Sequence, residues 1–479
     1  MRVQDEVGGM TIDAGVAPAS TEPPGVPDVD GWEEDVPQGI DRTRRVLEDV
    51  FGPVSARSFT VRYWDGTKDA PAAWRPSDFE LVLRHPGALR RGLLPPTDRR
   101  MGEAYVRGYI DIEGDVEAAA ALVERLKKER KHPHALVSLL AHAARLPRQL
   151  DPSTEEEPEH YASDGNPKGV RHSRARDAAA VRRHYDVGND FFRIFLDSRL
   201  VYSCAYFARG SETLDEAQEA KLDLICRKLR LSEGDRLLDI GCGWGSLVEF
   251  AASRYGVQAT GITLSPPQAE FARKRIADAG LADRCTIEVR DYRDLGESSS
   301  FEKVASVGMV EHVGRANLPV YFEEVERVLA PGGLFLNHGI VSLGPSVHGV
   351  RRLGRRWLAS HNSFIQRFVF PDSELVSPSD VIRPGELAGL ELRDVESLRE
   401  HYATTLRHWV RRLEAGKGRA VREVGEETYR VWRLYMAGSA HMFASGRIGI
   451  IQALWGKPYP SGLLSVPPRE TLYEASAVA

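Results

Sequence analysis

Cysteine is scarce. Cys204, Cys226, Cys242 and Cys285 are the only four in 479 residues, too few for a disulfide framework, and they lack the paired spacing of a metal site, so no metal is expected. So low a count in so long a chain points to a reducing compartment, and a cytoplasmic location is expected. No uninterrupted apolar run is long enough to span a bilayer and no signal-peptide pattern is present, so any membrane contact is expected to be peripheral. Neither sign of charge dominates: 64 Lys and Arg against 69 Asp and Glu leave a net charge of −5. That balance carries no polyanion-binding signal and argues against a nucleic-acid partner. Internal repeats are also missing.

What is present is the composition of a soluble globular protein, 42% hydrophobic and 28% charged, in a chain too long for one ordinary core. Residues 1–38 are rich in Pro, Gly, Asp and Glu with Arg2 as the one basic residue, and read as a disordered acidic tail. Residues 39–150 read as a small α+β domain, with a helix near 41–51, strands at 58–64 and 77–84, and an Asp65-Gly66 turn signal. Apolar residues at 119, 122, 123 and 126 predict a helix over 116–126. Residues 133–148 form an apolar helix with basic flanks, which suits a packed helix better than one lying on an anionic membrane. Residues 151–178, where Glu155–Glu157 gives way to Lys168, Arg171, Arg174 and Arg176, read as a linker.

From 179 to 465 the pattern alternates. Strands are expected at 235–241, 257–263, 284–290, 302–308 and 332–341, with helices at 215–230, 245–255, 267–279 and 317–329. This is the signature of a Rossmann-like, doubly wound α/β sheet. A basic, aromatic insertion (348–370), a helical extension (400–455) and a tail (466–479) follow.

The organising stretch is Leu237-Leu-Asp-Ile-Gly-Cys-Gly-Trp-Gly245, a strand running through a glycine turn into a helix. Gly241, Gly243 and Gly245 let a nucleotide-like ligand approach the backbone at a helix N-terminus. A dinucleotide site carries an acid about 20 residues on for the ribose. Here Thr263 and Gln268 stand in that region instead, and no Lys or Arg lies within the turn to meet a pyrophosphate. Asp239 suits a cationic ligand, and Asp291 beside Tyr292 suits an adenine, one accepting its amine and the other stacking. A positive ligand without phosphate is S-adenosylmethionine rather than NAD.

Several stretches then carry a resemblance: His184-Tyr-Asp-Val-Gly-Asn-Asp-Phe-Phe192, Tyr202-Ser-Cys-Ala-Tyr-Phe207, Leu238–Gly245, Thr263-Leu-Ser-Pro-Pro-Gln268, Ser306–Gly314, Phe368–Asp372, His401-Tyr402 and Trp432–Gly438. In this order over about 180–455 they resemble the cyclopropane-fatty-acyl-phospholipid synthase family, which includes the mycolic acid cyclopropane synthases. Gly102-Glu-Ala-Tyr-Val-Arg-Gly108 is similar to that family's additional lipid-binding domain.

The resemblance implies methyl transfer from S-adenosylmethionine to a cis double bond of a phospholipid acyl chain, with ring closure after a bound bicarbonate removes a proton from the resulting carbocation. It implies a bicarbonate pocket at the Cys204 backbone, Glu311, His338, Ile340 and Tyr402, and places Tyr202 and Ser203 beside the methyl donor. It also implies a homodimer on the inner membrane surface. Tyr185, Phe191, Phe192, Tyr202 and Tyr206 supply rings that shield a cation from water. The segment 348–359, with four arginines beside Leu353, Trp357 and Leu358, has a membrane-docking composition. Ser439 stands where some relatives carry a cysteine, and alkene methylation needs no protein nucleophile. The alternatives are a methylene-branched product, a small-molecule N-methyltransferase and a non-enzymatic lipid binder.

Overall fold

The computed structural model describes residues 36–72, 77–94, 97–129, 140–146, 170–185, 187–296, 301–343, 363–462 and 464. The segment 348–359, expected to dock on a membrane, the tail 466–479 and most of the helix expected over 133–148 lie outside them.

The first domain begins with α1 (Val36–Phe51), whose first three residues fall inside the expected tail. A mixed sheet follows from β1 (Thr60–Arg62), β2 (Lys68–Asp69), β3 (Phe79–Leu83) and β4 (Ile110–Gly114), in the order β2-β1-β3-β4. The Asp65-Gly66 turn joins β1 to β2 as expected, with Gly66 in the left-handed region at φ 87° and its N–H donating to Tyr63 O at 3.0 Å. Helices α2 (Ala88–Leu93), α3 (Asp98–Val106) and α4 (Val116–Glu129) complete the domain. Its core gathers Val46, Leu47, Phe59, Val61, Phe79 and Leu83.

The second domain opens with α5 (Arg174–Tyr185), which starts inside the expected linker. Its basic residues are expected to belong to the linker, yet Arg176 makes a two-pronged pair with Asp372 at 2.6 and 2.8 Å. After α6 (Asn189–Phe195) and α7 (Leu214–Lys228) comes the alternating unit: β5 (Arg236–Ile240), α8 (Ser246–Tyr255), β6 (Gln258–Thr263), α9 (Pro266–Asp278), β7 (Cys285–Val289), β8 (Phe301–Val307), α10 (Val310–Val313), α11 (Leu318–Val328) and β9 (Leu329–Ser342). The chain ends in α12 (Phe364–Phe368), α13 (Pro378–Leu387), β10 (Glu391–Ser397), α14 (Arg399–Ala415), α15 (Lys417–Ala444) and β11 (Ile448–Gly456).

The seven-stranded sheet has the order β10-β11-β9-β8-β5-β6-β7. Strands β9, β8, β5, β6 and β7 are parallel, and β11 runs against both neighbours. Two expectations are corrected here. The stretch 400–455 is not helical throughout, and the parallel sheet carries one reversed strand. Ile448-Gly-Ile-Ile-Gln-Ala-Leu-Trp-Gly456 is apolar on both faces because both are covered, so it lacks the alternation that marks a half-exposed strand.

Buried arginines of α15 tie the domains together. Arg430 donates to Tyr105 O at 3.0 Å and pairs with Asp111 at 2.8 Å, and Arg433 donates to Ile112 O at 2.8 Å and to the Tyr105 hydroxyl at 3.1 Å. Each guanidinium fills several donors at once, the geometry that makes a buried cation tolerable.

Candidate active site

The carboxyl ends of β5, β6, β7 and β8 open onto one cleft, at the point where the strand order reverses. Gly241 has φ 83°, and a Cβ there would come within 3.1 Å of Met309 Cγ, so only glycine permits this turn beneath the cleft. Tyr202, Ser203, Asp239, Gly241, Gly243, Thr263, Gln268, Asp291 and Tyr292, all expected at the cofactor, line this one cleft. Gly245 does not. It starts α8 at φ 78°, and its Cβ would sit 2.9 Å from Ala272, so it serves the packing of α8 on α9.

Within the cleft, Thr263 Oγ1 donates to Gln268 Oε1 at 3.0 Å, which turns the Gln268 amide nitrogen toward Gly243. Asp239 is 3% exposed and its Oδ1 has no hydrogen-bond partner. Burial raises its carboxyl to about 7, with nearby Lys221 opposing. Asp291 is more occupied than expected: Arg293 donates to both of its oxygens, at 2.8 and 2.6 Å, and also pairs with Asp177. An adenine amine would meet only its remaining lone pairs. Arg293 also lies 5.2 Å over the Tyr292 ring, covering one face of it.

Beyond the cleft stands a cage of rings. Tyr185, Phe192, Tyr202, Trp244 and Trp432 contact one another at centroid distances of 4.9–6.2 Å. Of the rings expected near the site, Phe191 packs behind Phe192 and Trp432, whereas Tyr206 stacks on His401. His184 lies against Tyr202, Phe370 and Trp432, donates from Nδ1 to Val369 O at 3.2 Å, and leaves Nε2 unpartnered. Burial, with His312 adding to it, lowers its pKa to about 3, so the ring is neutral.

Glu311, on α10, accepts from Ile340 N at 2.6 Å through Oε1, while Oε2 is buried and unpartnered. Burial raises its carboxyl to about 7, with the Ile340 hydrogen bond opposing. His338 is fully buried on β9, with Gln452 of β11 at 3.0 Å from Nδ1. With that amide nitrogen donating, the ring proton sits on Nε2, which has no partner. Tyr402 and Tyr185 lie in the same electrostatic neighbourhood as Glu311, and burial raises both phenols. The Cys204 thiol is buried against Ala205 O and Leu398 O, and burial pushes it up strongly, so it stays protonated and is no nucleophile.

A second, larger cavity of about 1810 Å³ opens between the first domain and α15. Val46, Phe59, Phe79 and Leu93 wall it on one side, and Leu434, Tyr435, Gly438 and Met442 on the other. Ser439 belongs to this wall and not to the cleft. Tyr435 stands between the two spaces: it lines the cavity, packs on Trp432 and Phe370, and its hydroxyl lies 3.5 Å from that of Tyr202 in the cleft wall.

Sequence reasoning missed Lys221, Arg293 and Met309, which also line the cleft. Lys221 had a signal. It sits on the apolar face of α7 with Ala217, Leu224 and Ile225, where a lysine is out of place.

Residues 172–453 match the family model described as mycolic acid cyclopropane synthetase, and residues 46–132 match a domain of unknown function. The chain is 40% identical over 414 residues to a probable fatty acid methyltransferase of Pseudomonas putida, covering 86% of this chain and 95% of that relative. It is 34% identical to the cyclopropane-fatty-acyl-phospholipid synthase of Escherichia coli K12, covering 64% of this chain and 76% of the other. The mycolic acid cyclopropane synthase CmaA1, solved with SAH and CTAB, superposes with a TM-score of 0.54 at 35% identity over 58% of this chain and 98% of its own. The chain belongs to the mycolic acid cyclopropane synthetase family and is an S-adenosylmethionine-dependent methyltransferase.

Proposed function

We propose that this enzyme methylates the cis double bond of a phospholipid acyl chain and closes the product to a cyclopropane. The observation that carries the reading is the adjacency of a polar cleft lined by Tyr185, Tyr202 and Trp244, two unpartnered buried acid–base groups, and an apolar cavity lined by Tyr435, whose hydroxyl lies 3.5 Å from that of Tyr202.

The cleft fits S-adenosylmethionine because Asp239 Oδ1 is buried without a partner and Gly241 and Gly243 leave the turn free of side chains. When bound, the donor supplies an electrophilic methyl group. Asp239, Gln268 and Thr263 would hold it. The cage positions the alkene and excludes water, so that the π electrons form the new carbon–carbon bond and the cation left on the neighbouring carbon meets only ring faces. A proton then leaves the added methyl, and that C–H electron pair closes the ring. Unpartnered Glu311 Oε2 and His338 Nε2 fit a small protonated anion such as bicarbonate, which supplies a proton acceptor when bound. Glu311 keeps its proton up to about pH 7 and so does not repel it.

The first domain and α15 provide the acyl route, and the first domain serves as the lipid-binding domain. No described helix is long and apolar enough to cross a membrane. In this reading the lipid is met at the inner membrane surface, with the arginines of 348–359 as headgroup contacts and a homodimer as the working unit. Expression in a host with unsaturated lipids, followed by fatty-acid analysis, tests the reading. Acyl chains longer by one CH2 unit and resistant to mild hydrogenation are expected. Chains that take up hydrogen would mean a methylene branch, and unchanged chains would refute lipid methylation.

A further inference from the structure

Two opposite charges are buried in the wall of the donor cleft without pairing. Lys221 on α7 is 1% exposed and Asp239 on β5 is 3% exposed, and no ion pair within 4.0 Å joins them. The Lys221 ammonium donates to Ser203 Oγ at 2.9 Å and has no other hydrogen-bond partner among the described residues, leaving two of its three donors unused. The carboxylates around it do not complete the set. Asp197 is turned onto the backbone N–H groups of Val201 and Arg199 at 2.8 and 3.0 Å. The thiols of Cys204 and Cys226 are buried and protonated.

The other cations lining the cleft are committed. Arg293 is held by Asp177 and Asp291, Arg290 pairs with Glu288 at 3.0 Å, and burial keeps His312 neutral by lowering it to about 4. An unpaired buried charge is costly, and two of opposite sign on one cleft wall are complementary to a zwitterion. The donor's amino-acid end carries an ammonium and a carboxylate.

We propose that Lys221, steadied by Ser203, is the positioning residue that receives the carboxylate of the donor's amino-acid end while Asp239 receives its ammonium. The inference rests on the assignment of the cleft to S-adenosylmethionine and adds the partner of its one anionic group. It also accounts for Ser203, whose hydroxyl accepts from Lys221 and keeps its own proton to donate to the same carboxylate.

Calorimetric binding of two probes tests it: S-adenosylhomocysteine, and its decarboxylated analogue, which keeps the ammonium and lacks the carboxylate. The wild-type protein is expected to prefer the carboxylate-bearing ligand by about tenfold or more. In Lys221→Met the preference should fall to about twofold or less, with the analogue bound as tightly as by wild type. Lys221→Gln, which keeps a donor for Ser203, serves if the methionine variant does not fold, with the same expectation. A wild-type protein without preference, or variants that weaken both ligands equally, would overturn the role of Lys221 while leaving the donor site standing. Failure to bind either probe would overturn both assignments.

Discussion

The donor cleft and the apolar cavity are built on opposite plans. The cleft is lined by polar groups from strand ends and from α7, each left with capacity to spare: Thr263 bound to Gln268, Lys221 bound to Ser203, and Asp239 with an oxygen free. The cavity is a gap between two packed layers, walled by Phe59, Phe79, Leu434 and Met442, with few polar groups to direct anything. One recognises a ligand by its charges and hydrogen bonds, the other by shape and by the exclusion of water. They meet at Tyr202 and Tyr435, where the chemistry is proposed.

Breaking one plan should leave the other intact. The largest effect is expected from Asp239→Asn, which removes the buried carboxylate proposed to face the donor's cation. Donor affinity should fall by about 100-fold or more in calorimetry, while lipid-vesicle binding is unchanged. Glu311→Gln should lower turnover by about 100-fold and leave the donor dissociation constant within about twofold; full activity in this variant would remove Glu311 from the mechanism.

Gly438→Phe sharpens the comparison from the other side. A Cβ at Gly438 would meet nothing within 4 Å, and Gly438 lines the apolar cavity, so a phenylalanine there is expected to fill part of it. The apparent KM for lipid should rise by about tenfold, as expected for loss of a binding contact of about 1.4 kcal/mol, with donor binding untouched.

The smallest effect is a pH dependence. Asp239 is raised to about 7 in the free protein, so it is protonated below that pH and must ionise to hold a cation. Donor binding should therefore release a proton at pH 6, and affinity should fall severalfold from pH 8 to pH 6. Calorimetry at pH 6 in buffers of different ionisation enthalpy reads the proton directly. Asp239→Asn should abolish it.

The same contrast explains what the sequence made legible. The glycine turn, Thr263, Gln268 and Asp239 are local: a strand, a turn and a helix within a few residues dictate where they point. The α/β alternation was readable for the same reason, and nine of its strands and helices fall within three residues of expectation at their start. Strand β11 was not, because burial on both faces removes alternation. The cavity was not either, since Val46, Phe59 and Leu93 look like core residues and emptiness is a property of packing between domains. Arg430 and Arg433 find their partners Tyr105 and Ile112 more than 300 residues away in the first domain, a pairing that no local pattern announces. Lys221 was readable in principle, as a charge on the apolar face of α7, but its partner Ser203 lies 18 residues away in a loop.

Where the proton is lost decides what becomes of the transferred methyl. Purified enzyme, dioleoyl phospholipid vesicles and S-adenosylmethionine carrying a trideuterated methyl group allow a single mass measurement of the acyl product. If the group beside Glu311 and His338 takes its proton from the transferred methyl, the product retains two deuterons. Three retained deuterons would place the deprotonation elsewhere on the chain, and an unlabelled lipid would contradict the proposed acceptor outright.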